Sequence, residues 1–193
     1  MAFLGRYIEE KGVVGAISAA KKTNHRLRMI GDDLYRVLPY YQKNVLPHLK
    51  KGVVEDETFF GEEDRSKFLG NAKALLFPIL WEEPFGMVMI EAMSCGTPVI
   101  AFNRGSVSEI VKDGVTGFII DQDNENRSNK GKWIIKKKGV EGLTEAINKI
   151  YNMDNREYDQ MRHNCRRHVE ENFTVEKMVD GYEGVYNRIL NNG

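Results

Sequence analysis

Two carboxylates, Glu83 and Glu91, stand in an E-x7-E spacing within residues 77–121, FPILWEEPFGMVMIEAMSCGTPVIAFNRGSVSEIVKDGVTGFIID. In isolation such a pair means little in a chain with 28 acidic residues. Two chemistries would need it. A glycosidase-like acid and base would have to flank one bond at a defined separation. Alternatively, two carboxylates beside a helix start could grip hydroxyls of a ligand whose phosphates lie at that start, because a carboxylate readily accepts hydroxyl protons. The surrounding residues favour the second. A helix is expected from about Phe85 to Cys95, with Glu83 just outside it and Glu91 about two turns inside. Pro84 suits a first helical turn, where its missing N–H would be unpaired anyway. The amides of Phe85, Gly86, Met87 and Val88 would then point at an anion, with Gly86 offering no side chain to block the approach.

A second cluster lies near the N-terminus, in Gly5-Arg6-Tyr7-Ile8-Glu9-Glu10-Lys11-Gly12. Arg6 and Lys11 add two cations next to another helix start, itself carrying a partial charge of about +0.5, an arrangement suited to a diphosphate. The other reading pairs them with Glu9 and Glu10 as ordinary rim charges. No Walker loop and no GxGxxG is present.

The remaining reactive side chains suggest structure. HNCRRH places His163, Cys165 and His168 at a spacing poorly suited to one metal, and Asp32-Asp33 after a strand reads as a turn cap. His25 and His48 lie in polar stretches, and Met87, Met89 and Met93 read as helix packing. Cys95 closes its helix at the end whose polarity does not activate a thiol. The run Lys136 to Lys138 reads as a solvated face.

The elements that must position these groups are short. Strands are expected at Ala2 to Gly5, Arg26 to Ile30, Val53 to Phe60, Ala74 to Phe77, Val99 to Phe102 and Gly117 to Ile120. Helical patterns lie between them, at 12–22, from Pro39 through Leu46, at 63–72, in the central helix and at 107–112. Near-continuous apolar strands alternating with helices indicate a Rossmann-like α/β fold, a parallel six-stranded sheet with helices on both faces. Ligands of such sheets sit beyond the strand carboxyl ends, where Gly5, Gly31, Gly61, Pro78 and Arg104 fall. Residues 121–139 read as a surface loop or a hairpin centred on Trp133 to Ile135. Three helices should close the chain. In the last, capped by Thr174, Val175, Met178, Val179, Tyr182, Val185, Tyr186, Ile189 and Leu190 form a stripe that needs a partner.

The balance of 28 basic and 28 acidic residues gives no global argument for nucleic acid or a membrane surface, so any anion site must be local. Two separated cysteines and no apolar run of membrane-spanning length lead us to expect a cytoplasmic domain.

WEEPFGMVMIEAMSCGTPVIAFNRGSVSEIVKDGVTGF resembles the donor-binding segment of retaining GT-B glycosyltransferases of group 1, or family 4, and GRYIEEKG resembles their phosphate loop. The likeness implies a nucleotide-diphosphate-sugar donor, UDP- or GDP-linked, with Glu83 on sugar hydroxyls and Glu91 on the ribose. Arg6 and Lys11 would hold the diphosphate, with the amides of Phe85 to Val88 on sugar and phosphates, Gly5 in the phosphate loop and Phe60 near the base. No metal or other cofactor is implied, since cations and helix dipoles would stabilise the departing nucleotide, whose phosphate would help deprotonate the acceptor. The chain starts where the second domain of such an enzyme should start. The expectation is therefore one donor-binding domain over 1–193 without its N-terminal acceptor domain, poor in transfer by itself. Its full-length protein could sit peripherally on the inner membrane face. The final helix would cross to the missing domain or self-associate. A non-catalytic nucleotide-sugar-binding or regulatory module is the alternative.

Overall fold

The computed structural model describes residues 1–58, 61–123 and 132–191. Six strands, β1 (Ala2–Leu4), β2 (Leu27–Ile30), β3 (Val54–Glu57), β4 (Leu75–Phe77), β5 (Val99–Phe102) and β6 (Gly117–Ile120), pair in parallel in the order β3-β2-β1-β4-β5-β6. The order reverses between β1 and β4, so their carboxyl ends open a crevice at the centre of the sheet. β4, β5 and β6 are buried at every position, the outcome of apolar runs covered on both faces.

One face carries α1 (Val13–Thr23), α2 (Pro39–Asn44) and α6 (Gly139–Tyr151); Val13, Ile17, Leu143 and Ile147 meet Phe3, Leu76 and Ile100 there. The other carries α3 (Glu62–Gly70), α4 (Met87–Ser94), α5 (Val107–Ile110) and α7 (Asn155–Asn172), where Leu69, Met89, Met93 and Cys165 pack on Leu75, Val99 and Ile119. A single 3-10 turn, Glu9–Lys11, precedes α1.

Two expectations need correction, and one pair of alternatives is decided. The third strand is shorter than Val53 to Phe60 and reads VEDE; it is an edge strand whose acids pair with arginines, Glu55 with Arg26 and Glu57 with Arg28, which discourages further strand addition. Phe60, expected near a nucleotide base, lies outside the described residues. The central helix begins at Met87, two residues later than expected, because its cap Gly86 is left-handed (φ 78°, ψ 60°). Pro84 and Phe85 therefore belong to the preceding loop, and Glu91 sits little more than one turn into α4. Of the two readings of 121–139, the described residues around Trp133 show the loop and no hairpin. Trp133 instead packs against the core and donates from Nε1 to Asp121 Oδ1 at 3.0 Å, while Ile135 is buried.

The last helix, α8 (Val175–Asn191), is capped as expected, the Lys177 amide donating to Thr174 Oγ1 at 3.3 Å. It has no buried residue, and the stripe from Val175 to Leu190 is exposed throughout.

Candidate functional site

The carboxyl ends of β1 and β4 bring the two predicted clusters together. Lys11, in the 3-10 turn after β1, places Nζ 2.5 Å from Glu83 Oε2, in the loop after β4. Their side chains are only 17% and 12% exposed, so the pair is largely removed from water. Trp81 completes it: Nε1 donates to the same Glu83 oxygen at 2.9 Å, and the Lys11 ammonium stands 5.2 Å from the indole centroid. Lys11 thus pairs with Glu83 and not with Glu9 or Glu10. Trp81 is a partner of both that the spacing argument missed, although it stands two positions before Glu83.

Backbone packing fixes the loop that carries Glu83. The Leu80 amide donates to Glu10 O at 2.8 Å, joining the loop to the Lys11 turn, and the Ser106 amide donates to Glu83 O at 3.0 Å. Ser106 Oγ donates to Phe85 O at 2.8 Å, and the Gly105 amide to Glu82 Oε2 at 2.7 Å. Gly105 is left-handed (φ 52°), and a Cβ there would lie 2.3 Å from Glu83 O. Only glycine permits that approach without moving the backbone.

At the start of α4 the first helical acceptor is Gly86 O, reached by the Met89 amide at 3.0 Å. The amides of Met87 and Val88 precede it and belong to the unpaired first turn. Gly86 supplies the left-handed entry; a Cβ there would meet Met89 Cε at 2.6 Å. The side chains diverge. Met87 is exposed, contrary to its expected place in the packing, because the first position of α4 points away from the sheet; Met89 and Met93 are buried as expected. Phe85 is half-exposed and meets Phe173 edge-on at 6.2 Å.

Glu91 lies deeper. Arg65 Nη1 donates to its Oε1 at 3.0 Å, while Oε2 is buried and has no hydrogen-bond partner among the described residues. An unsatisfied buried acceptor costs about 1–3 kcal/mol, so this oxygen calls for a donor. Glu91 is one of the residues lining a cavity of about 400 Å³, with Gly5, Arg6, Gly31, Asp32 and Val88. Arg65 sits on another helix, and the E-x7-E motif gives no sign of it. Arg6 is exposed at the mouth, its Nη1 3.5 Å from the Tyr35 hydroxyl and its guanidinium 6.0 Å from that ring. The Tyr35 contact raises the already high pKa of Arg6, leaving a permanent cation.

Behind this cavity, Asp56 on β3 ties the loops together. Tyr7 OH donates to Oδ1 and Tyr41 OH to Oδ2, each at 2.5 Å, while Arg36 donates to both oxygens at 2.7 and 2.8 Å. Burial, then the bonds to Asp56, pushes both phenols up and keeps them protonated as donors. Tyr7 is fully buried and lies against Gly31, so the residue after Arg6 is anchored to the core.

The other candidates serve structure. Asp32 caps the following turn by accepting from the Leu34 amide at 2.9 Å. Cys165 Sγ lies 3.4 Å from Thr116 O, and burial pushes its thiol up to about 12. His168 Nε2 lies 2.9 Å from Ile110 O, whereas His163 contacts Asp159 O on the surface. His25 is less exposed than its polar neighbours suggest, stacking on Tyr151 at 3.5 Å.

A parallel doubly wound sheet, with Arg6, Lys11 and the first-turn amides of α4 at its reversal point, defines an α/β domain of Rossmann type. The sequence pattern of glycosyl transferases group 1 matches residues 1–170, and the chain belongs to that family. It is 29% identical over 190 residues to an uncharacterized glycosyltransferase of Methanocaldococcus jannaschii, covering 97% of this chain and 47% of that protein. With N-acetyl-alpha-D-glucosaminyl L-malate synthase of Bacillus anthracis it shares 29% identity over 147 residues, 76% of this chain and 34% of the relative. Among solved structures, a glycosyltransferase from Rickettsia africae superimposes with a TM-score of 0.78 at 20% identity, covering all of this chain and 48% of that one. Anabaena HepE, solved in complex with UDP-glucose, gives 0.75 at 20% identity, covering 97% and 48%. These likenesses show that the sheet and helices are those of GT-B glycosyltransferase structures. The chain spans about half the length of the first relatives it matches.

Proposed function

We propose that the chain is the donor-binding half of a retaining glycosyltransferase and takes a nucleotide-diphosphate sugar between β1 and β4. The observation that carries the reading is the buried Oε2 of Glu91, unpartnered among the described residues, on a side chain that lines a cavity with Arg6 and the first turn of α4. A ribose hydroxyl supplies the donor that this oxygen lacks, with Arg65 holding the other oxygen in place. The diphosphate lies across the amides of Met87 and Val88 with Arg6 at its mouth, and Lys11 reaches it from the Glu83 side. Glu83, positioned by Trp81 and Lys11, accepts from hydroxyls of the donor sugar.

Charge balance follows from the same groups. Two cations and the partial positive charge of a helix start stabilise the departing nucleotide diphosphate, so the chain's own groups supply the electrostatic assistance that the transfer needs. Glu83 acts as a positioner and not as a nucleophile, since its carboxylate is already engaged by an ammonium and an indole N–H. The acceptor hydroxyl then attacks from the face that the nucleotide leaves, retaining the anomeric configuration, with a phosphate oxygen taking its proton. An N-terminal acceptor domain completes the enzyme, and the 193-residue chain alone binds donor weakly and transfers sugar poorly.

Calorimetry with UDP, GDP, ADP and their glucose conjugates tests the assignment. Binding of at least one is expected, and Glu91→Ala combined with Arg6→Ala should abolish it. Nucleotide binding unchanged in that double variant would remove the site assignment, and efficient transfer by this chain alone would remove the half-enzyme reading.

A further inference from the structure

A second cavity, of about 650 Å³, opens on the same rim, lined by Glu9 of the Glu9–Lys11 turn and by Leu80 of the loop that carries Glu83. Aliphatic side chains of Val14, Leu80 and Val140 contribute to its wall, and Glu9, Tyr40, Asn44 and Asp123 bring polar groups to it. The volume lies within the roughly 300–1,000 Å³ typical of small-molecule sites.

The polar groups narrow the occupant. The carboxylate of Glu9 and the hydroxyl of Tyr40 have no hydrogen-bond partner among the described residues, and Asn44 spends only its Nδ2, on Tyr40 O at 3.0 Å. Arg104, also in the wall, already donates to Gln122 Oε1 at 2.6 Å and to Glu82 Oε1 at 3.1 Å. With that cation engaged, the described lining is acidic through Glu9 and Asp123, which disfavours phosphate and other anions. Among the described residues no three His, Cys, Asp or Glu side chains cluster to hold a metal ion. A wholly apolar ligand would strip water from two carboxylates without replacing its hydrogen bonds. A neutral sugar ring meets every condition, where a short acyclic polyol lacks the face: hydroxyls donate to Glu9 and Asp123, Tyr40 and Asn44 add a donor and an acceptor, and the ring C–H face lies on Val14, Leu80 and Val140. Burial and the neighbouring Glu9 and Glu10 raise the Tyr40 pKa, keeping its hydroxyl a donor.

The position relative to the donor centre adds the role. Glu9 and Lys11 belong to one 3-10 turn, and Glu10 O between them accepts from the Leu80 amide, so one wall separates the two sites. We propose that this cavity is a carbohydrate subsite on the acceptor side, taking one or two neutral sugar residues of the acceptor. The acceptor role rests on the donor reading given above; the carbohydrate chemistry does not.

Nuclear magnetic resonance of the uniformly ¹⁵N-labelled chain tests it, with glucose, N-acetylglucosamine and maltose as probes, and inorganic phosphate and glycerol as controls. At least one saccharide should shift the amides of Val14, Gly15 and Val140 saturably in the millimolar range, while the controls leave them in place. Glu9→Gln and Tyr40→Phe should each weaken that binding about fivefold, the effect of losing one hydrogen bond. Both side chains lie at the cavity edge without partners, so the variants should fold, as their dispersed spectra will show. The proposal is overturned if no saccharide moves these amides, if phosphate moves them as well, or if both variants bind like the parent. UDP is titrated separately and read on the amides of Arg6 and Val88. A chain that answers UDP but no saccharide overturns the subsite alone. One that answers a saccharide but not UDP upholds the carbohydrate site but removes the donor reading and, with it, the acceptor role.

Discussion

The Lys11–Glu83 pair gives the sharpest test, because the carboxylate competes with the ligand for the same ammonium. At 2.5 Å and an effective dielectric constant of about 20, the gross Coulomb attraction is on the order of 7 kcal/mol. Desolvation offsets most of it in a pair this sheltered, and net couplings of such contacts lie at about 0.5–3 kcal/mol. Lys11→Met should therefore destabilise the fold by about 1–3 kcal/mol, and the double variant with Glu83→Gln should lose less than the sum of the single changes. The nucleotide response should have opposite signs. Lys11→Met removes a phosphate contact and should weaken UDP about 10-fold or more, the scale of one charged hydrogen bond. Glu83→Gln frees Lys11 from its carboxylate and should leave UDP binding equal or tighter, while weakening UDP-sugar relative to UDP. Urea unfolding and calorimetry on the parent, both single variants and the double variant complete the cycle. If Glu83→Gln weakens UDP as much as Lys11→Met does, the competition between carboxylate and phosphate for Lys11 is wrong.

Four further outcomes are expected. Asp56→Ala leaves Tyr7, Tyr41 and Arg36 without their shared acceptor and should cost about 3–5 kcal/mol in denaturant unfolding. Gly105→Ala forces a Cβ against the Glu83 backbone at a left-handed φ and should cost about 1–3 kcal/mol, with a loss of donor-sugar affinity read by calorimetry. Tyr182→Ser and Ile189→Asn on α8 should change thermal stability by no more than about 0.5 kcal/mol, since both side chains are exposed. Finally, the Cys165 thiol, raised by burial from 9.0 to about 12, holds its proton in the folded chain after the unfolded chain has released it. Its contribution to stability is fully present below pH 9 and falls as pH rises toward 12, by up to about 1.4 kcal/mol per pH unit. Cys165→Ala should flatten that part of the pH profile.

Much of the architecture could be read in the sequence because each strand is a short apolar run with a glycine, proline or polar turn after it. β5 and β6 fall at their expected residues for that reason. The helix of Glu91 was harder. Pro84 and an apolar run are compatible with a start at Phe85, and only the left-handed Gly86, held among Met89, Glu83 and Phe77, moves the start to Met87. Trp133 lies in a loop, one of the two alternatives its polar neighbourhood suggests, yet it is half-buried, held by a hydrogen bond to Asp121 and by packing on the core.

The sequence by itself determined the alternation of strands and helices, the placing of Arg6, Lys11, Glu83 and Glu91 on one rim, and the likeness to group 1 glycosyltransferases. These are local properties of spacing and residue type. Tertiary structure decided the partners. Lys11 meets Glu83 across 72 positions of chain and Arg65 meets Glu91 across 26, because the sheet order sets β1 beside β4 and α3 beside α4. It also decided that one oxygen of Glu91 is left without a donor among the described residues, since only packing determines which polar atoms lose water and which find a partner.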